Sequence, residues 1–210
     1  MFMVTIDYQI TAETKLKRIA WLSSQNKSKS FNNLMHLFNE DALTNCYHEL
    51  DANKATGIDG VNKVRYGSKL TENISKLVDK LKNMAYIPGD ILEVKIPKEG
   101  SKGKFRTLGI SNFADKICQK MLQKVLTSIY EPIFLNCSYG FRTGIGCHDA
   151  IRALTQHLYA NEVESVLDID LTNFFGTIDR RILTEILQEK IKDKRFIRYI
   201  IRMFKARILS

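Results

Sequence analysis

Seven apolar side chains, Ala114, Ile117, Cys118, Met121, Leu122, Val125 and Ile129, recur every three or four residues and stop short of Pro132. That spacing lines one face of a long helix, and proline cannot continue it. Ser111 or Asn112 is the expected N-cap. A helix this apolar needs a core to lie against. The 210 residues, 44% of them apolar, are enough to build one without disulfide or metal staples.

Shorter helices are expected around it. Thr11 caps a helix carrying Leu16, Ile19 and Ala20, followed by a polar linker from Ser23 to Ser30. From Asp41, residues Leu43, Cys46, Tyr47 and Leu50 form the next stripe, ended by the glycine-containing loop Asn53-Lys-Ala-Thr-Gly-Ile-Asp-Gly60. Thr71 caps a helix with Ile74, Leu77, Val78 and Leu81 inward, closed by Pro88-Gly89. Later helices run from Cys147 to Tyr159, with Ile151, Leu154 and Leu158 inward, and from an Asp179 N-cap through Ile182, Leu183, Ile186, Leu187 and Ile191.

Two segments read as strands. Ile91 to Ile96 and Phe105 to Ile110 form a hairpin whose connection, Pro97 to Lys104, is basic and glycine-containing. Lys98, Lys102, Lys104 and Arg106 suit a polyphosphate. The glycines lack the Walker lysine pattern and a following helix, which excludes a P-loop. In the second segment, Ser165 to Leu171, period two sends Leu167, Ile169 and Leu171 to one face and Val166, Asp168 and Asp170 to the other. Two adjacent carboxylates call for a cation, and a divalent metal is the natural one.

The net charge of +9 accompanies 23 acidic residues, so the chain is a folded basic protein rather than a basic tail. Nucleic acid is the favoured partner. Near the C-terminus, Arg195, Arg198, Arg202 and Lys205 share a helical face opposite Phe196 and Ile200, as a phosphate-binding stripe would. The segment Ser138 to Gly146 offers Tyr139 and Phe141 for stacking and Arg142 for phosphate. The four cysteines form no CxxC pair and read as reduced, mostly buried thiols, which argues against zinc. No apolar run is long enough to cross a bilayer, no charged leader is evident, and the expected location is the cytoplasm.

Four blocks in order carry a resemblance. They are Asn53 to Val61; Ile96-Pro-Lys-Glu-Gly with Phe105-Arg-Thr-Leu-Gly-Ile110; Ser138-Tyr-Gly-Phe-Arg142 with Cys147-His-Asp-Ala-Ile151; and Asp170-Leu-Thr-Asn-Phe-Phe175 with Ile178-Asp179. Together they resemble the reverse transcriptases of group II introns, which also act as maturases. The resemblance implies an α+β fold: a right-hand polymerase fingers and palm fragment, mostly helical, with a fingers β-hairpin and a palm strand. It divides the chain into an N-terminal helical extension and linker (1–40), fingers (41–160), and the first part of the palm with its return helix (161–210).

The resemblance also implies roles. Asp170 matches the first catalytic aspartate, a ligand of both Mg²⁺ ions, with the Leu171 carbonyl beside it. Phe175 matches the aromatic gate that rejects a ribose 2′-OH, and Lys98 and Arg106 match the residues that hold the incoming deoxynucleoside triphosphate. Tyr139, Phe141 and Arg142 match a segment along the template, and Lys54, Thr56 and Gly57 lie in a loop that covers template and primer. The implied partners are intron RNA, an RNA template with a DNA primer, and dNTP, with no membrane; a homodimer is compatible with the sequence. Asp168 has no family counterpart, and Gly176 stands where the family usually has Asp.

Two Mg²⁺ ions about 4 Å apart stabilise the attacking and leaving oxygens of nucleotidyl transfer, and carboxylates suit them as hard ligands. The family's Tyr-x-Asp-Asp hairpin does not occur in these residues, so the chain alone is expected to bind RNA without polymerising. Catalysis is then a property of a longer protein. A non-catalytic RNA-binding splicing module is the main alternative. A glycosyltransferase using Asp168-Ile-Asp170 fits the charge and the hairpin less well.

Overall fold

A computed structural model describes residues 11–97, 100, 103 and 105–209. Its centre is the helix that the apolar stripe predicts, α5 (Phe113–Tyr130), in which Ile117, Cys118, Val125 and Ile129 are fully buried. Helices α1 (Ala12–Gln25) and α2 (Glu40–Glu49) pack against it, and α4 (Leu70–Lys82) packs on α2. A short helix, α3 (Lys63–Gly67), leads into α4. Phe31, Leu34, Leu37 and Phe38, between α1 and α2, are buried in the same core.

The hairpin forms as expected. Strands β1 (Ile91–Pro97) and β2 (Phe105–Ile110) are antiparallel, with Val94 opposite Leu108 and Ile96 opposite Arg106. A two-residue strand, β3 (Ile208–Leu209), adds to β1 in parallel. Beyond α5 come α6 (Cys147–Ala160), a four-residue turn of helix α7 (Phe174–Thr177), α8 (Arg180–Lys190) and α9 (Lys194–Phe204).

Helix α9 enters the core through its N-cap. The buried Asp193 carboxylate accepts from the Arg195 and Phe196 amides at 2.9 and 3.1 Å, as a cap should. Its other oxygen accepts from Leu34 at 2.6 Å and Met35 at 3.1 Å, 158 to 159 residues earlier in the chain. Phe31 exchanges backbone hydrogen bonds with Lys190 and Lys192, both at 2.7 Å. The two ends of the described chain thus meet in one core.

Several expectations need correction. The polar linker begins later than predicted, because α1 runs on to Gln25; the buried Ser23 hydroxyl donates to the Ile129 carbonyl at 2.6 Å. Helix α4 starts at Leu70 with Lys69 at the cap rather than Thr71, and it ends at Lys82, six residues before Pro88. Cys46 and Cys118 are buried, but Cys137 and Cys147 are exposed. The inward stripe of α6 lies open, with Ile151, Leu154 and Leu158 at 59%, 53% and 39% exposure. Residues 165–171 form no strand: they are irregular and exposed, because no strand among the described residues pairs with them. Alternation alone does not make a strand, since its backbone groups need partners.

Candidate nucleic-acid and nucleotide site

The hairpin projects from a firmly held base. Asp115, buried in the first turn of α5, accepts from the Tyr86 hydroxyl and from the Gly89 amide at 3.1 Å. Burial pushes its carboxyl above the ordinary carboxylate range, while those two donors pull it back. Desolvation, first, and then the neighbouring Cys118 and Asp115 push the Tyr86 phenol up. One residue before the hairpin, Asp90 receives both arms of the Arg207 guanidinium at 3.1 and 2.9 Å. Arg106 is exposed near the far end of β2. The turn there depends on glycine, with φ of 72° at Gly100 and 78° at Gly103. Lys98, Lys102 and Lys104 lie outside the described residues.

The loop after α2 is anchored on the N-terminal turn of α5. Gly57 is buried, Thr56 half-buried, and Lys54 exposed with a 3.7 Å ion pair to Asp51. Lys116 of α5 donates to the Ala55 carbonyl at 2.5 Å.

Arg142 braces its own loop. Its Nε donates to Glu131 at 2.8 Å, its Nη1 donates to the Leu135 and Ser138 carbonyls at 3.0 and 2.7 Å, and the guanidinium lies over the Phe134 ring. Held this way, the loop presents Phe141 at 99% exposure, in the left-handed region with φ 57°. Tyr139 beside it is half-buried. The Phe141 ring meets Phe175 edge to face at 5.9 Å, and Phe175 meets Phe174 at 5.5 Å. Phe175 also lines a cavity of about 350 Å³ with Ile91, the first residue of β1. The structure therefore brings the base of the hairpin, at Ile91, beside the ring of Phe175 and, through that ring, the loop carrying Phe141, while Arg106 stands at the hairpin's other end.

Asn173, also left-handed at φ 50°, turns the chain into α7, and the Gly176 amide donates back to the Asn173 carbonyl. A side chain at Gly176 would meet only the side-chain end of exposed Asn173, which can swing aside, so the surroundings do not demand glycine there. Asp168 and Asp170 are exposed, without hydrogen-bond or ion-pair partners among the described residues, and Leu171 beside them is 63% exposed. The described residues contain no group of three or more His, Cys, Asp or Glu that could hold a metal. A carboxylate and the adjacent carbonyl are the oxygen donors Mg²⁺ favours, but they are two ligands of about six.

The C-terminal arginines are not one free stripe. Arg202 is half-buried and donates to the carbonyls of Met84 and Tyr86, and Arg195 donates to the Lys82 carbonyl. Arg198 is exposed and makes no such contact among the described residues. The sequence reading passed over Asp115 and Arg207. An acidic residue inside an apolar stripe was the signal for Asp115; the pairing of Arg207 with Asp90 crosses 117 residues and left no local signal.

Residues 96–208 match the family model for reverse transcriptase (RNA-dependent DNA polymerase). The chain is 31% identical over 196 residues to the group II intron-encoded protein LtrA of Lactococcus lactis subsp. cremoris, covering 93% of this chain and 32% of that protein. It is 35% identical over 153 residues to the protein YkfC of Escherichia coli (strain K12), covering 71% and 40%. It is 29% identical over 194 residues to an uncharacterized 91 kDa protein in the cob intron of Schizosaccharomyces pombe, covering 88% and 23%. The chain thus spans about a third of the length of the LtrA protein it matches. With the family match running from the end of β1 through α9, the chain belongs to the reverse transcriptase (RNA-dependent DNA polymerase) family, on the side of its group II intron-encoded members.

Proposed function

We propose that this chain is the fingers and first part of the palm of a group II intron reverse transcriptase and maturase, with residues 1–40 as an N-terminal extension, 41–160 as fingers and 161–210 as palm. It takes intron RNA, an RNA template with a DNA primer, and deoxynucleoside triphosphates. The observation that carries this reading is the family match, within which the base of the hairpin and the exposed Phe141–Phe175 pair meet.

Each residue then has a task. Arg106 and Lys98 neutralise the triphosphate, and the Phe175 ring closes the space a ribose 2′-OH would need. Phe141 and Tyr139 give the template aromatic surface to stack on, with Arg142 holding their loop rather than gripping phosphate. Lys54, Thr56 and Gly57 border the template and primer. Arg198 contributes a phosphate contact from α9, while Arg195 and Arg202 place that helix. Asp170 and the Leu171 carbonyl are the ligands this chain offers to Mg²⁺, which when bound stabilises the attacking and leaving oxygens. Two protein oxygens hold Mg²⁺ weakly, so the 210-residue chain binds RNA but does not extend a primer.

The test places this chain beside the intact gene product, assaying RNA binding at two salt concentrations and primer extension with Mg²⁺. Salt-sensitive binding by both, with extension only by the longer protein, supports the reading. Binding by both without extension by either transfers the function to an RNA-binding splicing module. Absence of RNA binding refutes both.

A further inference from the structure

Asn112 occupies the N-cap of α5, yet its side chain makes no capping bond to its own helix. Its Oδ1 instead accepts from the Asp59 amide at 3.3 Å, 53 residues back in the chain. Two glycine backbones close on it from other segments. A Cβ added at Gly57 would lie 2.7 Å from the Asn112 Cα and backbone nitrogen, and one at Gly89 would strike the Asn112 amide nitrogen and stand 3.4 Å from Asp115 Oδ2. Strand β2 ends at Ile110, two residues before Asn112, and β1 begins at Ile91, two residues after Gly89. The first turn of α5 repeats the arrangement: Asp115 accepts from Gly89 and Tyr86, and Lys116 donates to Ala55.

The loop itself is stiff. The Gly60 amide donates to the Gly57 carbonyl at 3.1 Å and the Val61 amide to the Asp59 carboxylate at 3.0 Å. A stiff loop pressed without slack onto the base of a hairpin passes displacement on, because closely packed groups do not deform continuously.

We propose that Asn112 is a positioning residue that makes the Ala55–Gly60 loop and the base of the β1–β2 hairpin one mechanical unit, so that template–primer held under the loop sets the hairpin that receives the nucleotide. The functional half rests on the reading above, in which the loop borders template and primer and the hairpin takes the triphosphate. Linkage makes the effect reciprocal: nucleotide on the hairpin tightens the hold on template and primer.

Residue-resolved amide hydrogen exchange on the 210-residue chain tests both halves. In the free protein, Gly57→Ala alters only the loop sequence, yet it is expected to speed exchange about tenfold at Leu92 to Val94 and Leu108 to Ile110, with Ile117 to Val125 of α5 unchanged. Asn112→Ala should do the same from the other side. Lys116→Met, which cuts only the tie to Ala55, should give a smaller change of the same sign and serves if either variant fails to fold. A loosened loop with hairpin exchange equal to wild type overturns the proposal.

With an RNA template annealed to a DNA primer, wild type should show slowed exchange in loop and hairpin together, Asn112→Ala should bind while losing the hairpin response, and Lys116→Met should bind with a weaker one. A hairpin response of wild-type size in both variants also overturns it. If wild type does not bind the duplex, the nucleic-acid reading fails, while the free-protein comparison still decides the mechanical coupling.

Discussion

The Arg202 guanidinium on α9 donates to the carbonyl of Met84 at 2.8 Å and to that of Tyr86 at 2.6 Å, in the segment that leaves α4. Met84 is left-handed, φ 55°, so the chain turns sharply there. The end of a helix leaves carbonyls without intrahelical partners. Tyr199 takes that of Leu81 at 3.0 Å and Arg195 that of Lys82, so one face of α9 closes α4 and fixes the approach to the hairpin.

Arg202→Ala should therefore destabilise the chain by about 1–3 kcal/mol, since it strands two half-buried carbonyls. Arg198→Ala, on the exposed side of the same helix, should change stability by no more than about 0.5 kcal/mol. RNA binding should separate them the other way, with Arg198→Ala reducing the slope of log affinity against log salt by about 0.7. Urea melts and salt titrations of both variants check the contrast.

Asp193 is a cap with a second task, and its loss should be costly. Asp193→Ala leaves the Leu34, Met35, Arg195 and Phe196 amides without their acceptor, in a buried position. We expect a loss of about 3 kcal/mol or more by equilibrium unfolding, with Asp193→Asn recovering part of it.

Burial, opposed by nearby Lys124, lifts the Cys46 thiol to about 11. Unfolding returns it to its ordinary value near about 8.5, so the unfolded chain releases that proton first as pH rises. The stability this thiol contributes is whole below about pH 8.5 and is lost progressively up to about 11, at most about 3 kcal/mol. Cys118, also raised by burial, steepens the same alkaline decline. Reduced protein unfolded by urea at pH 8 and at pH 10.5 should show the loss, and Cys46→Ala should show less of it.

The elements that were legible in the sequence are those whose partners lie in the described residues. The Ile117 to Ile129 stripe meets α1 and α2, the hairpin pairs with itself, and Asp179 caps α8 through the Arg181 and Ile182 amides. The stripe of Ile151, Leu154 and Leu158 and the alternation of Leu167, Ile169 and Leu171 are as regular in sequence, yet both are exposed here. Pattern reports what a face can bury, not what is present to cover it. Arginine spacing is incomplete for a related reason: period 3.6 places Arg195, Arg198 and Arg202 near one another but does not say that carbonyls at the end of α4 and in the segment leaving it lie under two of them. At the site, residue types identified the rings of Phe141 and Phe175, while their edge-to-face contact depended on two left-handed residues that no local signal marks.

Phe141 carries a cost that glycine would not. A bulky residue at φ 57° in full solvent packs too little to offset its strain. Phe141→Gly should raise stability by about 0.5–1 kcal/mol while weakening single-stranded RNA binding by about tenfold, the value of one lost stacking contact. Parallel thermal melts and RNA titrations read both. A variant that binds RNA as wild type does would show that the exposed ring serves no template.

Asp170 is the carboxylate proposed to bind the catalytic metal, and Asp170→Asn in the intact gene product tests that role most directly. Asparagine keeps the size and removes the charge at an exposed position, so folding and RNA binding should match wild type. Extension of a DNA primer on an RNA template with Mg²⁺ should fall by at least about 1,000-fold, about 4 kcal/mol of transition-state stabilisation. Extension at the wild-type rate by this variant would contradict the assignment.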